Sequence, residues 1–258
     1  MAKTNEGLYY AVNTSDVVIG KSIFRDQRSF DSQHLVEALK LVGKDRSILI
    51  DIGANVGTIG IFGVSQGFFS KCIAFEPEPN NFRLLQANII LNGLSEKFEL
   101  RNEALSNKAG EVLNFELSED NFGDHRVQIQ KISGLYKEEN RKVLSVNVNT
   151  LDYVLKDYEL SECFLFMDTQ GYEGHVLSGA LRLIDERVPM VTEFWPYGLK
   201  RSNGLKLFYT VLSASRYTTM WDLRFPLKKL KFSIDEIKSI ALDLGEDGAF
   251  TDLILSND

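Results

Sequence analysis

Little in this chain of 258 residues points to metal, disulfide or phosphate-backbone chemistry. It has two cysteines, Cys72 and Cys163, each inside an apolar run and far apart in sequence. That usage does not fit a disulfide scaffold, and buried, reduced thiols in a cytoplasmic protein are expected. Three histidines, with no H-x-x-x-H or C-x-x-C spacing anywhere, leave no zinc signature, and no metal is expected. Basic residues are outnumbered, 29 against 36 acids, and the net charge of −7 leaves no general basic face for a nucleic acid. Residues 1–10 are polar and lack the apolar core of a leader. Residues 48–69 approach membrane-spanning length, but Asp51, Asn55, Gln66 and several glycines interrupt them, so no membrane partner is expected. Repeats, low-complexity tracts and an interdomain linker are also missing.

What remains is the composition of an ordinary folded enzyme, 44% hydrophobic and 25% charged. From Ile48 onward apolar runs and amphipathic stretches alternate, which predicts a parallel sheet covered on both faces. Strands are expected near 48–52, 72–76, 98–105, 164–168 and 188–194, and helices near 57–66, 79–92, 150–157, 171–184 and 203–215. Tyr217 to Trp221 and Phe250 to Leu255 read as two late strands around a short helix opened by the capping box Ser233-Ile234-Asp235-Glu236. Residues 1–45 read as a preface packed on the core. It comprises a hairpin over Asp16–Phe24 turning near Gly20-Lys21, then a helix with Leu35, Ala38, Leu39 and Val42 on one face. Residues 46–258 read as one globular unit.

The stretch Ile48 to Gly57 carries the most chemistry. A buried strand ends at Asp51 and turns through Gly53, Asn55 and Gly57, and a second strand ends at Glu76-Pro77. Strand, glycine loop, helix, strand and acid is the layout of a nucleotide-type site, with the second acid accepting from ribose hydroxyls. A dinucleotide is a poor fit. Asp51 beside the loop would repel a pyrophosphate and attract a cation, and the Tyr-x-x-x-Lys pair of short-chain dehydrogenases is absent.

One insertion, about 112–148, breaks the alternation. Val112–Leu117 and Val143–Val148 read as a strand pair separated by a long polar segment, Ser118 to Lys142. Long loops in compact domains are usually functional or disordered, so a mobile lid over about 119–140 is expected. Within it lie Phe122, Gly123, Asp124, His125 and Arg126. His34 is expected at the surface or an interface, and His175 on the solvent side of its helix.

Together, Asp51 to Gly57, Glu76-Pro77, Ala104-Leu105-Ser106, Gly123 to Arg126, Asn149 to Asp152, Met167 to Glu173 and Glu193 to Pro196 resemble the FkbM-type methyltransferases. The resemblance covers roughly 45–200. Where that family carries Asp-Val-Glu-Gly-x-Glu, this chain has Asp168-Thr169-Gln170-Gly171-Tyr172-Glu173, with Gln170 in place of a carboxylate. The resemblance implies a Rossmann-like, seven-stranded, mostly parallel sheet with its last strand antiparallel. It implies S-adenosylmethionine as cofactor, held by Asp51, Gly53, Asn55, Gly57, Glu76, Pro77, Glu103, Ala104 and Asp168. It also implies methyl transfer to a hydroxyl, which is expected to belong to a sugar or polyhydroxylated small molecule. His125 is the leading base, as an imidazole that titrates near neutrality, with Asp168 and Asp124 as other candidates. Phe122, Arg126, Gln170, Glu193 and Trp195 are expected to contact the acceptor. Two alternatives stay open: a divalent-cation-assisted O-methyltransferase using Asp168, Glu193 or Asp124 as ligands, and a non-catalytic cofactor-binding protein of the same fold.

Overall fold

The computed structural model describes residues 1–225 and 228–257. Its centre is an eight-stranded sheet. In chain order the strands are β1 (Ile48–Ile52), β2 (Lys71–Phe75), β3 (Phe98–Arg101), β4 (Cys163–Met167), β5 (Met190–Phe194), β6 (Thr219–Asp222), β7 (Leu230–Lys231) and β8 (Thr251–Ser256). Across the sheet they run β7-β6-β8-β5-β4-β1-β2-β3. The first five are mutually parallel, and β8 is antiparallel to both of its neighbours. The expected seven strands are all present, and the two-residue β7 adds an eighth at the edge.

The apolar runs form strands because both of their faces are buried. Leu49, Cys72, Phe164 and Val191 face one hydrophobic cluster, while their neighbours Ile50, Ile73, Leu165 and Met190 face the other. The first face is covered by α1 (Ile19–Asp26), α2 (Ser32–Val42), α3 (Thr58–Ser65) and α4 (Pro79–Leu91), through Ile23, Leu35, Ile61 and Leu85. The second is covered by α5 (Leu151–Val154), α6 (Glu173–Ser178), α7 (Leu181–Asp185), α8 (Pro196–Arg201), α9 (Leu205–Ala214) and α10 (Ile234–Leu244). Each fully buried Leu, Ile or Phe in these layers contributes about 1.5–3 kcal/mol. Both cysteines are buried and free, as expected.

Three local expectations change. No hairpin forms over residues 16–24, where α1 starts instead. Ile19 and Ile23, one turn apart, are buried, and the Asp16 carboxylate accepts from the amides of Val18 at 3.1 Å and Gly20 at 2.9 Å. An apolar pair at helical spacing outweighs the β-branched run before it. The hairpin at this end is Ala2–Lys3 against Tyr9–Tyr10. The helix expected over 171–184 is two, α6 and α7, because the Asp152 carboxylate caps the second piece at the amides of Leu181 and Arg182, at 2.9 and 3.1 Å. The strand expected over 98–105 divides as well. Ala104–Leu105 leaves the central sheet and runs parallel to Val148–Asn149 in a second one. That smaller sheet is the insertion: Val112–Leu117 pairs antiparallel with Lys142–Asn149, and Arg126–Val127 joins its outer edge.

Candidate active site

β1 and β4 lie side by side, and from them the chain winds in opposite directions. A ligand crevice forms at the carboxyl ends of such a pair. Here the loop after β1 is fastened to the end of β2, since the amides of Gly53 and Ala54 both donate to the Phe75 carbonyl at 3.0 and 2.9 Å. Gly53 has φ +83°, and a Cβ there would lie 1.8 Å from the Asp168 carbonyl oxygen. The glycine is therefore demanded first by the neighbouring strand end. Gly57, at φ +91°, is the residue before α3, and a Cβ on it would strike Leu85. It does not line the cleft, so its predicted contact with a cofactor gives way to a helix-capping role.

A cleft of about 910 Å³ opens above this crevice. Asp51, Gly53, Asn55, Glu76, Pro77, Glu103, Ala104 and Asp168 line it, as do Phe122, His125 and Gln170. Glu76 is fixed by two amides, accepting from Asn55 N–H and Glu78 N–H, each at 2.8 Å. Asn55 holds the insertion down, since its side-chain amide donates to the Phe122 carbonyl at 2.8 Å, and Asn81 does the same at 3.1 Å. Two buried acceptors on this wall have no hydrogen-bond donor, Glu103 Oε1 and Asn81 Oδ1. No Lys or Arg lines the cleft among the described residues. The site offers acceptors and negative charge, which suits a ligand rich in donors and unsuited to carry phosphate.

Burial pushes Asp51 up to about 7, against a Gly60 N–H bond that lowers it, and pushes Glu76 up to about 8. Carboxyls whose pKa is higher in the folded chain hold protons there that the unfolded chain has released. Their contribution is full at low pH and is lost as pH rises through about 7 to 8. The free protein is therefore expected to melt at a lower temperature at pH 8.5 than at pH 6.5, roughly the window those two groups span. A melting temperature that rises across that window would contradict the burial of these charges.

A second cleft, of about 980 Å³, adjoins the first and shares Asp168, Gln170, Asp31 and Phe166 with it. The predicted residues Asp124, Glu193 and Trp195 line it. Sequence reading missed His34 and Asp252, which form an ion pair at 2.7 Å on its wall, and also Asp31, Tyr136 and Phe250. Asp168 stands at the junction. Its Oδ1 accepts from the Gln170 side-chain amide at 2.7 Å, and burial pushes its carboxyl up to about 6.

Several assignments in the insertion are corrected. The Nδ1 of His125 accepts the Ser118 amide hydrogen at 3.0 Å. A neutral ring so bonded carries its proton on Nε2, and neither nitrogen keeps a lone pair for taking another. Burial, with the nearby Arg141 charge, also holds His125 down to about 4. The ring is a hydrogen-bond donor to the cleft and not a base. Asp124 is unsuited as a base too, because Arg126 Nη2 lies 2.6 Å from Oδ1 and Arg141 pairs with Oδ2. Arg126 lines neither cleft. It is buried between Asp124, Glu116 and Glu138, with its guanidinium 4.7 Å from the Trp195 ring centre. This ionic cluster anchors the expected lid at Asp124, Arg126, Glu138 and Arg141, all buried, leaving residues 129–133 as an exposed stretch. His175 is not solvent-facing either. It stacks on Tyr172 with centroids 4.2 Å apart, and its Nε2 lies 2.8 Å from the Ser202 carbonyl.

Residues 51–210, more than half of the chain, match the methyltransferase FkbM domain. The chain belongs to the FkbM methyltransferase family. It is therefore an S-adenosylmethionine-dependent methyltransferase, and the matched region runs from the Asp51 loop past β5 into α9. No curated protein matches it in sequence. Solved structures of similar shape include an O-methyltransferase from Bacillus cereus in complex with SAH, 12% identical over 95% of this chain and 90% of that one, TM-score 0.47. TYW2 of P. horikoshii in complex with MeSAdo is 13% identical over 98% and 69%, TM-score 0.43. The B. subtilis tRNA methyltransferase TrmK is 9% identical over 87% and 65%, TM-score 0.42. Likeness of this degree leaves the assignment of the methyltransferase resting on the domain match. No helix among its described residues is long and apolar enough to cross a membrane.

Proposed function

We propose that this methyltransferase alkylates a hydroxyl oxygen of a sugar or polyhydroxylated small molecule held in the second cleft, with Asp168 taking the hydroxyl proton. The observation that carries this reading is the position of Asp168, on the wall of both clefts. S-adenosylmethionine, when bound, supplies a methyl on a sulfonium that an oxygen can displace in line, leaving a neutral thioether. The unpartnered Glu103 Oε1 and Asn81 Oδ1 suit its adenine amine and ribose hydroxyls, and Glu76, beside the loop, suits the ribose diol. Asp51 is the charge for the ammonium end, directly or through water.

The acceptor wall supports a carbohydrate by its chemistry. Tyr136 and Phe250 offer exposed aromatic surface to apolar C–H groups, with buried Trp195 packed behind Tyr136, and Asp31, Glu193 and Asp252 accept from hydroxyls. Holding oxygen, methyl and sulfur aligned at near-attack distance supplies most of the acceleration. Asp168 then removes the proton that the oxygen must lose, and Gln170 orients that carboxylate through the 2.7 Å bond to Oδ1.

Removing the ribose acceptor tests the cofactor half. Glu76→Ala is expected to weaken S-adenosylhomocysteine binding by ~1–3 kcal/mol in calorimetry, the cost of leaving the ribose hydroxyls without their buried partner. An affinity equal to that of the unaltered protein would end the assignment of Glu76 to the ribose.

A further inference from the structure

Asp168, Glu173 and Glu193 present carboxylate oxygens that all lie within 4.8 Å of one another. Glu173 is fully buried and Glu193 is 3% exposed, yet Oε2 of each has no hydrogen-bond partner. Among the described residues no Lys or Arg makes an ion pair with any of the three. Glu173 Oε1, by contrast, is saturated. It accepts from Thr169 N–H at 2.8 Å, Thr169 Oγ1 at 2.7 Å and Gly171 N–H at 3.2 Å, which fixes the carboxylate and leaves Oε2 facing its neighbours. Three buried carboxyls with no basic partner must be neutralised, by protons when they are alone or by a cation that the unpartnered oxygens can reach.

We propose that Asp168, Glu173 and Glu193, together with the side-chain oxygen of Gln170, bind one oxygen-seeking divalent cation at the junction of the two clefts. The spacing fits. Oxygens on opposite sides of Ca²⁺ stand about 4.6–5.2 Å apart, and a small contraction reaches the ~4.2 Å of Mg²⁺. Gln170 completes the site because an amide can present either end. Its Nε2 donates to Asp168 Oδ1 at 2.7 Å and to Glu193 Oε1 at 3.1 Å. Turning the amide over exchanges nitrogen for oxygen at the same place. Nitrogen faces the carboxylates when they are alone, and oxygen faces them when a cation sits between. In the methyl-transfer reading, on which this last role rests, the cation would take over from the Gln170 N–H in orienting Asp168. One carboxylate oxygen would bind the cation while the other receives the proton of the acceptor hydroxyl. Of the ligands the sequence left open for a divalent cation, Asp168 and Glu193 are kept, and Glu173 and Gln170 stand in place of Asp124. The histidine and cysteine spacing speaks to zinc and not to hard cations.

The test is a titration of the full chain, stripped by chelation, with Mn²⁺, followed by the loss of the free-ion paramagnetic resonance signal. The account predicts one Mn²⁺ per chain, displaced by Mg²⁺ or Ca²⁺, and loss of that binding in Glu193→Gln. Gln170→Glu adds a charged oxygen and is expected to tighten binding, which decides the matter should Glu193→Gln fail to fold. No uptake by the unaltered protein, uptake that survives Glu193→Gln, or no gain in Gln170→Glu would each overturn the site. S-adenosylhomocysteine titrated into the same samples keeps the readings apart. Its failure to bind would strike the methyl-transfer assignment, while Mn²⁺ uptake answers for the cation alone.

Discussion

Asp168→Asn is expected to lower methyl transfer by ~10²–10⁴, the range a positioned proton acceptor contributes. S-adenosylhomocysteine affinity should fall far less. The substitution keeps the shape of the side chain and its place between the clefts, and removes the charge that receives the proton. His125→Asn should keep most of the transfer rate, because the ring's Nδ1 already accepts the Ser118 amide hydrogen and the ring is no proton acceptor. The measurement is transfer of labelled methyl from S-adenosylmethionine to a panel of sugars and polyols, with binding followed separately. If Asp168→Asn transferred at a near-normal rate while His125→Asn did not, the assignment of the base would be reversed.

The second large effect concerns stability. Arg141→Ala is expected to destabilise the fold by about 3–5 kcal/mol in urea denaturation, because removing one member of a buried pair leaves a charge without compensation. Arg141 is 7% exposed, donates to the Asp124 carbonyl at 2.6 Å and pairs with the Asp124 carboxylate. Glu116 and Glu138 share the same cluster with Arg126 and Arg201, so each loss unbalances the others. The exposed pair Lys200–Glu246 is the natural comparison, and Lys200→Ala is expected to leave the unfolding midpoint where it was. An Arg141 variant no less stable than that one would show the cluster to be incidental.

These results also explain which parts of the molecule could be read from the chain. Asp51, Gly53 and Glu76 are legible because their places at strand ends follow from local order, and the sheet then brings them to one crevice whatever the loops do. The acceptor wall is not legible in that way. Asp31 and His34 come from the start of α2 and Asp252 from the last strand, where the antiparallel register of β8 against β5 sets Asp252 opposite Glu193. No spacing rule spans such a distance. His125 illustrates a different limit. Its residue type suggests a base, but its tautomer is set by an amide seven residues away across the turn of the insertion. Arg141 escaped notice for a related reason, since nothing in the residues around it names Asp124 as partner. The misread segment at Asp16–Phe24 shows propensity overruled by packing, where buried Ile19 and Ile23 select a helix.

The most direct test of the account is a crystal structure of the protein with S-adenosylhomocysteine. The account predicts the ribose hydroxyls on Glu76, the adenine along Glu103 and Ala104, and the sulfur turned toward Asp168 at the opening into the second cleft. A ligand bound with its sulfur facing away from Asp168, or with its ribose remote from Glu76, would contradict it.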